Sequence, residues 1–203
     1  MTNGLSYLAL GDSYTIGESV AESERWPVQL SKSLAKNGVE VASPQIIAQT
    51  GWTTDELKEK IVSENITKTY DLVSLLIGVN NQYRGRSVEQ FQKEFIELLE
   101  IAIKFAGNKS EQVFVVSIPD WGITPFGGKG QNKTISEQID LYNKVKKEET
   151  DKKGILFIDI TPISRLAIND ISLIAKDGLH PSEKMYRQWV EKILPELLKK
   201  IKL

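Results

Sequence analysis

The sequence predicts an α/β fold, a parallel sheet covered by helices on both faces, and two observations predict it. Short apolar runs rich in β-branched residues recur along the chain, and segments with helical periodicity lie between them. Strands and helices that alternate at this spacing form βαβ units, whose crossovers make neighbouring strands parallel.

The elements are read in chain order. Residues 5–10 and 40–48 are the weaker strand candidates, and Thr53-Thr-Asp-Glu56 carries the capping signal of a helix start. Residues 71–77 form a short, mostly apolar run, as expected of a strand buried on both faces. Residues 87–106 follow with Phe91, Phe95, Leu98, Leu99 and Ala102 on one stripe, opened by a second capping signal, Ser87-Val-Glu-Gln90. Residues 113–118 and 155–160 are two further apolar runs of the doubly buried kind.

A chain of 203 residues with 40% hydrophobic content has the size and apolar share of one domain, taken here as residues 1–203. Its 26 Lys and Arg nearly cancel 27 Asp and Glu, so no overall field draws in a nucleic acid. With no cysteine and a single histidine, thiol nucleophiles, disulfides and thiolate metal sites are excluded, and a zinc site would need an almost all-carboxylate shell. We therefore expect no metal and no cofactor. The first ten residues have no basic segment, and their apolar run is too short for a leader core or a membrane span. A soluble, cytoplasmic protein is expected, of undetermined oligomeric state.

In open parallel sheets the binding crevice lies at the carboxyl ends of the strands, near the point where strand order reverses. Four segments should meet there: Gly11-Asp-Ser-Tyr-Thr-Ile-Gly17, Gln49-Thr-Gly-Trp52, Gly78-Val-Asn-Asn81 and Asp177-Gly-Leu-His-Pro181. Singly, each has a plain explanation: a helix-opening serine is usually a cap, and a loop glycine usually serves a positive φ. Jointly they offer what acyl transfer needs, a hydroxyl nucleophile (Ser13), a base (His180), a carboxylate to orient it (Asp177) and amide donors. The three-residue spacing of Asp177 and His180 lets the carboxylate reach one ring nitrogen.

Gly11-Asp-Ser-Tyr14, Gly51, Gly78-Val-Asn80 and Asp177-Gly-Leu-His180 together resemble the signature blocks of the SGNH (GDSL-type) hydrolase family, in the family's order. Two positions depart from the pattern: Tyr14 stands where leucine is usual, and Asn81 where aspartate is common. The resemblance implies a flavodoxin-like three-layer α/β/α sandwich with about five parallel strands. It also implies an oxyanion hole made by the Ser13 and Gly51 backbone amides and the Asn80 side chain. The implied substrate is a small acyl ester, of short-chain or lysophospholipid type. A thioesterase, a carbohydrate deacetylase or a non-catalytic binding domain of the same fold are the alternatives.

Substrate contacts are expected from four further residues. Asn81 adjoins the third block. Arg84 could hold an anionic group or stand solvated, and Trp121 and Phe126, in a glycine-rich loop, could wall the acyl pocket or merely pin that loop.

Overall fold

The computed structural model describes residues 4–131 and 133–201. Its five strands, β1 (Tyr7–Gly11), β2 (Gln45–Ala48), β3 (Leu72–Leu76), β4 (Val113–Val116) and β5 (Leu156–Ile158), form one parallel sheet in the order β2-β1-β3-β4-β5. The helices are α1 (Ser13–Ile16), α2 (Trp26–Lys36), α3 (Thr54–Ser63), α4 (Val79–Tyr83), α5 (Val88–Phe105), α6 (Lys133–Lys152), α7 (Thr161–Arg165) and α8 (Glu183–Ile201). The chain runs one way from β1 to β2 and then reverses through β3, β4 and β5. Right-handed crossovers accordingly place α2 on one face and α3, α5 and α6 on the other. The helix contacts agree, α2 packing on α8 and α5 on both α3 and α6.

Every residue of β1, β3 and β4 is buried, which is why those runs lack alternation. In β5, expected to be equally buried, Leu156 and Phe157 are only half-buried, because it is an edge strand. The second expected strand shrinks to Gln45–Ala48 plus an isolated bridge between Leu5 and Val41. Pro44, without an N–H, interrupts the ladder between them. Both capping signals act as read: Ser87 Oγ accepts from the Gln90 amide at 3.1 Å, and Thr53 and Glu56 cap one another. Among the described residues no helix is long and apolar enough to cross a membrane.

Two glycines at the carboxyl ends of β1 and β3 are required by close approach. A Cβ on Gly11 would collide with the Leu76 carbonyl oxygen and the Thr15 side chain. Gly78, at φ +125°, would put a Cβ 2.7 Å from the Phe91 ring.

Behind the carboxyl end of the sheet two charged side chains, Asp12 and Lys146, are fully buried. Lys146 Nζ donates to the carbonyls of Ile77, at 3.1 Å, and Val116, at 2.8 Å, where β3 and β4 end. Burial pushes the Asp12 carboxyl up to about 7, opposed by the Tyr14 amide and the charge of Lys146. Burial likewise pushes the Lys146 ammonium down to about 7, opposed by Asp12.

Lys146→Met strips both carbonyls of their donor and should lower unfolding free energy by roughly 2–4 kcal/mol. The deficit should also depend on pH. Asp12 has a folded pKa above its unfolded one, so its contribution is fully present below about pH 4 and lost as pH rises through 7. Losing the nearby cation deepens that loss. The wild type, conversely, carries the cost of a buried ammonium at acidic pH, which the variant escapes. Urea titrations should show a larger deficit near pH 8 than near pH 5, and the reverse order would refute this account.

Candidate active site

Four loops and a turn converge at the carboxyl end of the sheet around a cavity of about 190 Å³. It lies beside the point where strand order reverses, between β1 and β3. Ser13 enters from the end of β1, Thr50 and Gly51 from the loop after β2, Val79 and Asn80 from α4, Trp121 and Phe126 from the loop after β4, and Leu179 and His180 from the turn before α8.

Capping does not explain Ser13. The N-cap of α1 is Asp12, whose Oδ1 accepts from the Tyr14 amide at 3.0 Å, and the Ser13 hydroxyl is left to the cavity. Gly11 lets β1 lie against β3 directly before that turn, so the hydroxyl projects from a backbone fixed on one side by the sheet.

His180 is buried, and its Nδ1 lies 2.6 Å from Asp177 Oδ2. The same carboxylate oxygen accepts from Ser19 Oγ at 2.7 Å, and Oδ1 accepts the backbone amides of Leu179, at 2.9 Å, and His180, at 3.0 Å. Partial burial raises the Asp177 pKa, but these hydrogen bonds outweigh it and hold the carboxyl well below the usual carboxylate range. Asp177 is therefore an ionised acceptor, which assigns the ring proton to Nδ1 and leaves the Nε2 lone pair free. The Tyr14 ring packs edge-on against the imidazole with centroids 5.6 Å apart, limiting its rotation. Among the described residues no hydrogen bond joins Ser13 Oγ to the imidazole, a contact that is commonly long in ligand-free hydrolases.

Gly51, at φ +88°, and Asn80 line the same cavity. Asn80 Nδ2 gives one hydrogen bond to the Trp52 carbonyl at 2.9 Å, leaving its second N–H for the cavity. Neither the Ser13 nor the Gly51 backbone amide has a hydrogen-bond partner among the described residues.

Two expected contacts fall elsewhere. Asn81 is fully buried: it accepts from the Thr54 amide at 3.1 Å and donates to Thr54 Oγ1 at 2.6 Å and to Glu94. Its adjacency to Asn80 does not bring it to the cavity, because successive residues on a helix point to different faces. Arg84 also misses the cavity, its guanidinium spent on Glu56 Oε1, at 3.0 Å, and on the Gly51 carbonyl, at 2.7 Å.

Trp121 and Phe126 do line the cavity, with Tyr83, which sequence reading left without a role. The three rings pack together, with centroids 5.5 to 6.5 Å apart. Trp121 is fixed by its indole N–H, which donates to Gln82 at 2.7 Å, and the Phe126 amide donates to the Gly178 carbonyl at 3.0 Å. Their loop is thus clasped between α4 and the histidine turn. Among the described residues no Asp, Glu, Lys or Arg lines the cavity. A hydroxyl, an imidazole backed by an ionised carboxylate and three unengaged N–H groups around a neutral cavity form a set capable of acyl transfer.

A model of the GDSL-like lipase/acylhydrolase family matches residues 9–188. Solved structures share the fold. TesA is 17% identical with a TM-score of 0.75, over 96% of this chain and 99% of that one. The psychrotrophic esterase EstA from Pseudoalteromonas sp., inhibited by monoethylphosphonate, is 14% identical with a TM-score of 0.73, over 98% and 99%. Axe2, an acetylxylan esterase from Geobacillus stearothermophilus, is 17% identical with a TM-score of 0.73, over 99% and 95%. No curated protein matches in sequence.

Proposed function

Because the chain belongs to the GDSL-like lipase/acylhydrolase family, we propose that it is, as one domain, a serine hydrolase that cleaves carboxylic esters through an acyl-enzyme. Ser13 is the nucleophile, His180 its base and Asp177 the carboxylate that orients the base. The observation that carries this reading is the 2.6 Å contact between His180 Nδ1 and Asp177 in a turn that shares its cavity with Ser13.

His180 Nε2 takes the Ser13 proton as Oγ bonds to the ester carbonyl carbon, and the carbonyl π electrons move onto oxygen. That oxyanion sits among the Ser13 amide, the Gly51 amide and Asn80 Nδ2. Its collapse breaks the ester C–O bond, and the imidazolium hands its proton to the departing alkoxide. Water, deprotonated by the same nitrogen, then attacks the acyl-enzyme and frees the acid and Ser13. Asp177 stays ionised throughout and stabilises the imidazolium.

The small, neutral, largely apolar cavity favours a short, uncharged acyl group. A lysophospholipid has less support, since Arg84 is already engaged and, among the described residues, the lining offers no cation for its phosphate. The exposed rings of Tyr83 and Phe126 at the rim favour an alcohol part with an apolar face. An acetylated sugar of the kind named for one structural neighbour presents such a face, which makes deacetylation of a carbohydrate the second reading.

Incubation with a fluorophosphonate followed by mass spectrometry of the peptides tests the proposal. One adduct, on Ser13, is expected. Folded protein that takes up no label would favour a binding domain without catalysis.

A further inference from the structure

The proposed oxyanion donors Gly51 and Asn80 come from loops after β2 and β3, two strands that are not neighbours because β1 lies between them. Sheet hydrogen bonds therefore do not set the distance between these donors, and something else must.

A row of side chains from the α4 region reaches across. Asn80 holds the Trp52 carbonyl, Asn81 holds Thr54, and Arg86 pairs with Asp55 at 2.6 and 3.1 Å. These grip residues beyond Gly51. Among the described residues Arg84 alone grips the glycine itself, Nη2 donating to its carbonyl at 2.7 Å. Gly51 needs such a hold, since it has no side chain, adopts a left-handed φ and has no hydrogen bond to its amide among the described residues.

The anchor behind Arg84 is itself held by a second contact. Glu56 takes Nη1 with Oε1 while its Oε2 accepts the Thr53 amide at 2.9 Å, in the capping box that starts α3. Arg84 also closes the turn that Asn80 opens, its amide donating to the Asn80 carbonyl at 3.0 Å. One residue thus ties the backbones that carry both donors.

We propose that Arg84 is a positioning residue that sets the orientation of the Gly51 peptide from outside the cavity, and so completes the oxyanion hole without touching substrate. The inference rests on the oxyanion role proposed above for Gly51. Displacing a catalytic group by about 1 Å can cost as much as a hundredfold in rate, and Asn80 and Ser13 still donate in the variant, so a loss of about tenfold is expected.

The test compares Arg84→Ala, Arg84→Lys and Arg86→Ala in steady-state hydrolysis of p-nitrophenyl acetate, with the Gly51 amide followed by ¹H–¹⁵N NMR. Arg84→Ala should lower kcat about tenfold with KM within about twofold, and lysine, which keeps one donor for the carbonyl, should recover part of the loss. Arg86→Ala should leave kcat nearly unchanged. The Gly51 amide resonance should shift or broaden in Arg84→Ala and stay in place in Arg86→Ala. Because Arg84 is a partly exposed side chain, loss of folding is not expected, and Arg84→Lys gives the same comparison if the alanine variant is unstable. An unchanged kcat overturns the proposal, as does a rise in KM confined to an ester with a carboxylate in its acyl chain, which would make Arg84 a substrate contact. If the wild-type protein hydrolyses no ester, the functional reading fails separately, and an unmoved Gly51 resonance still overturns the role given to Arg84.

Discussion

His180→Ala should reduce ester hydrolysis by roughly four to six orders of magnitude, as should Ser13→Ala, with little change in the unfolding transition of either variant. The size follows from how the groups are coupled. The serine hydroxyl is a poor nucleophile until a base accepts its proton, and the base has no proton to accept until the serine attacks. Removing either partner therefore removes one concerted step, and the double variant should be scarcely slower than the single ones. Asp177→Asn belongs to the same series. The amide cannot accept the Nδ1 proton as the carboxylate does, which favours the wrong ring tautomer, and a loss of about 10⁴ is expected. Steady-state rates on a p-nitrophenyl ester check all four. A His180→Ala variant that keeps a tenth of wild-type turnover would reject the proposed base.

Asn80→Ala is expected to lower kcat by roughly a hundredfold or more, about 3 kcal/mol of transition-state stabilisation, while KM stays near its wild-type value. The planar carbonyl of the bound ester needs this donor much less than the charged oxygen of the tetrahedral intermediate does, so the loss falls on the chemical step. Asn80→Asp sharpens the test. It preserves shape but replaces the donor with an acceptor that repels the oxyanion, and it should be at least as slow as alanine. Equal losses in kcat and 1/KM would point instead to a disturbed cavity, through the lost hydrogen bond to the Trp52 carbonyl.

The sheet was legible because β3 and β4 are central and take apolar residues at nearly every position, and the helix covering them displays its buried stripe at regular intervals. Edges read less well: β5 and β2 are both shorter than their apolar runs, one because an edge strand meets solvent, the other because Pro44 breaks it. At the site, Ser13, Gly51, Asn80 and His180 were legible as strand-end residues whose chemistry needed one another. Arg84 and Asn81 do not line the cavity; a sequence gives adjacency to a loop but not the direction in which a side chain leaves it. Tyr83 and Lys146 gave no signal. The first lies on a five-residue helix too short for a periodicity, and the second belongs to the lysine-rich sequence of α6, where only the structure distinguishes the one ammonium directed inward.

The bond between Ser19 and Asp177, side chains 158 positions apart, ties the segment after β1 to the turn before α8. In the proposed mechanism this joins the nucleophile to an orienting carboxylate and a base that are made more than 150 residues later. A ribosome that has completed the five strands has still not supplied Asp177 or His180, so the nascent chain carries an inert serine. On that mechanism turnover requires the turn before α8 to be in place, so the appearance of turnover during refolding should report when that turn and α8, which packs on α2, come to rest.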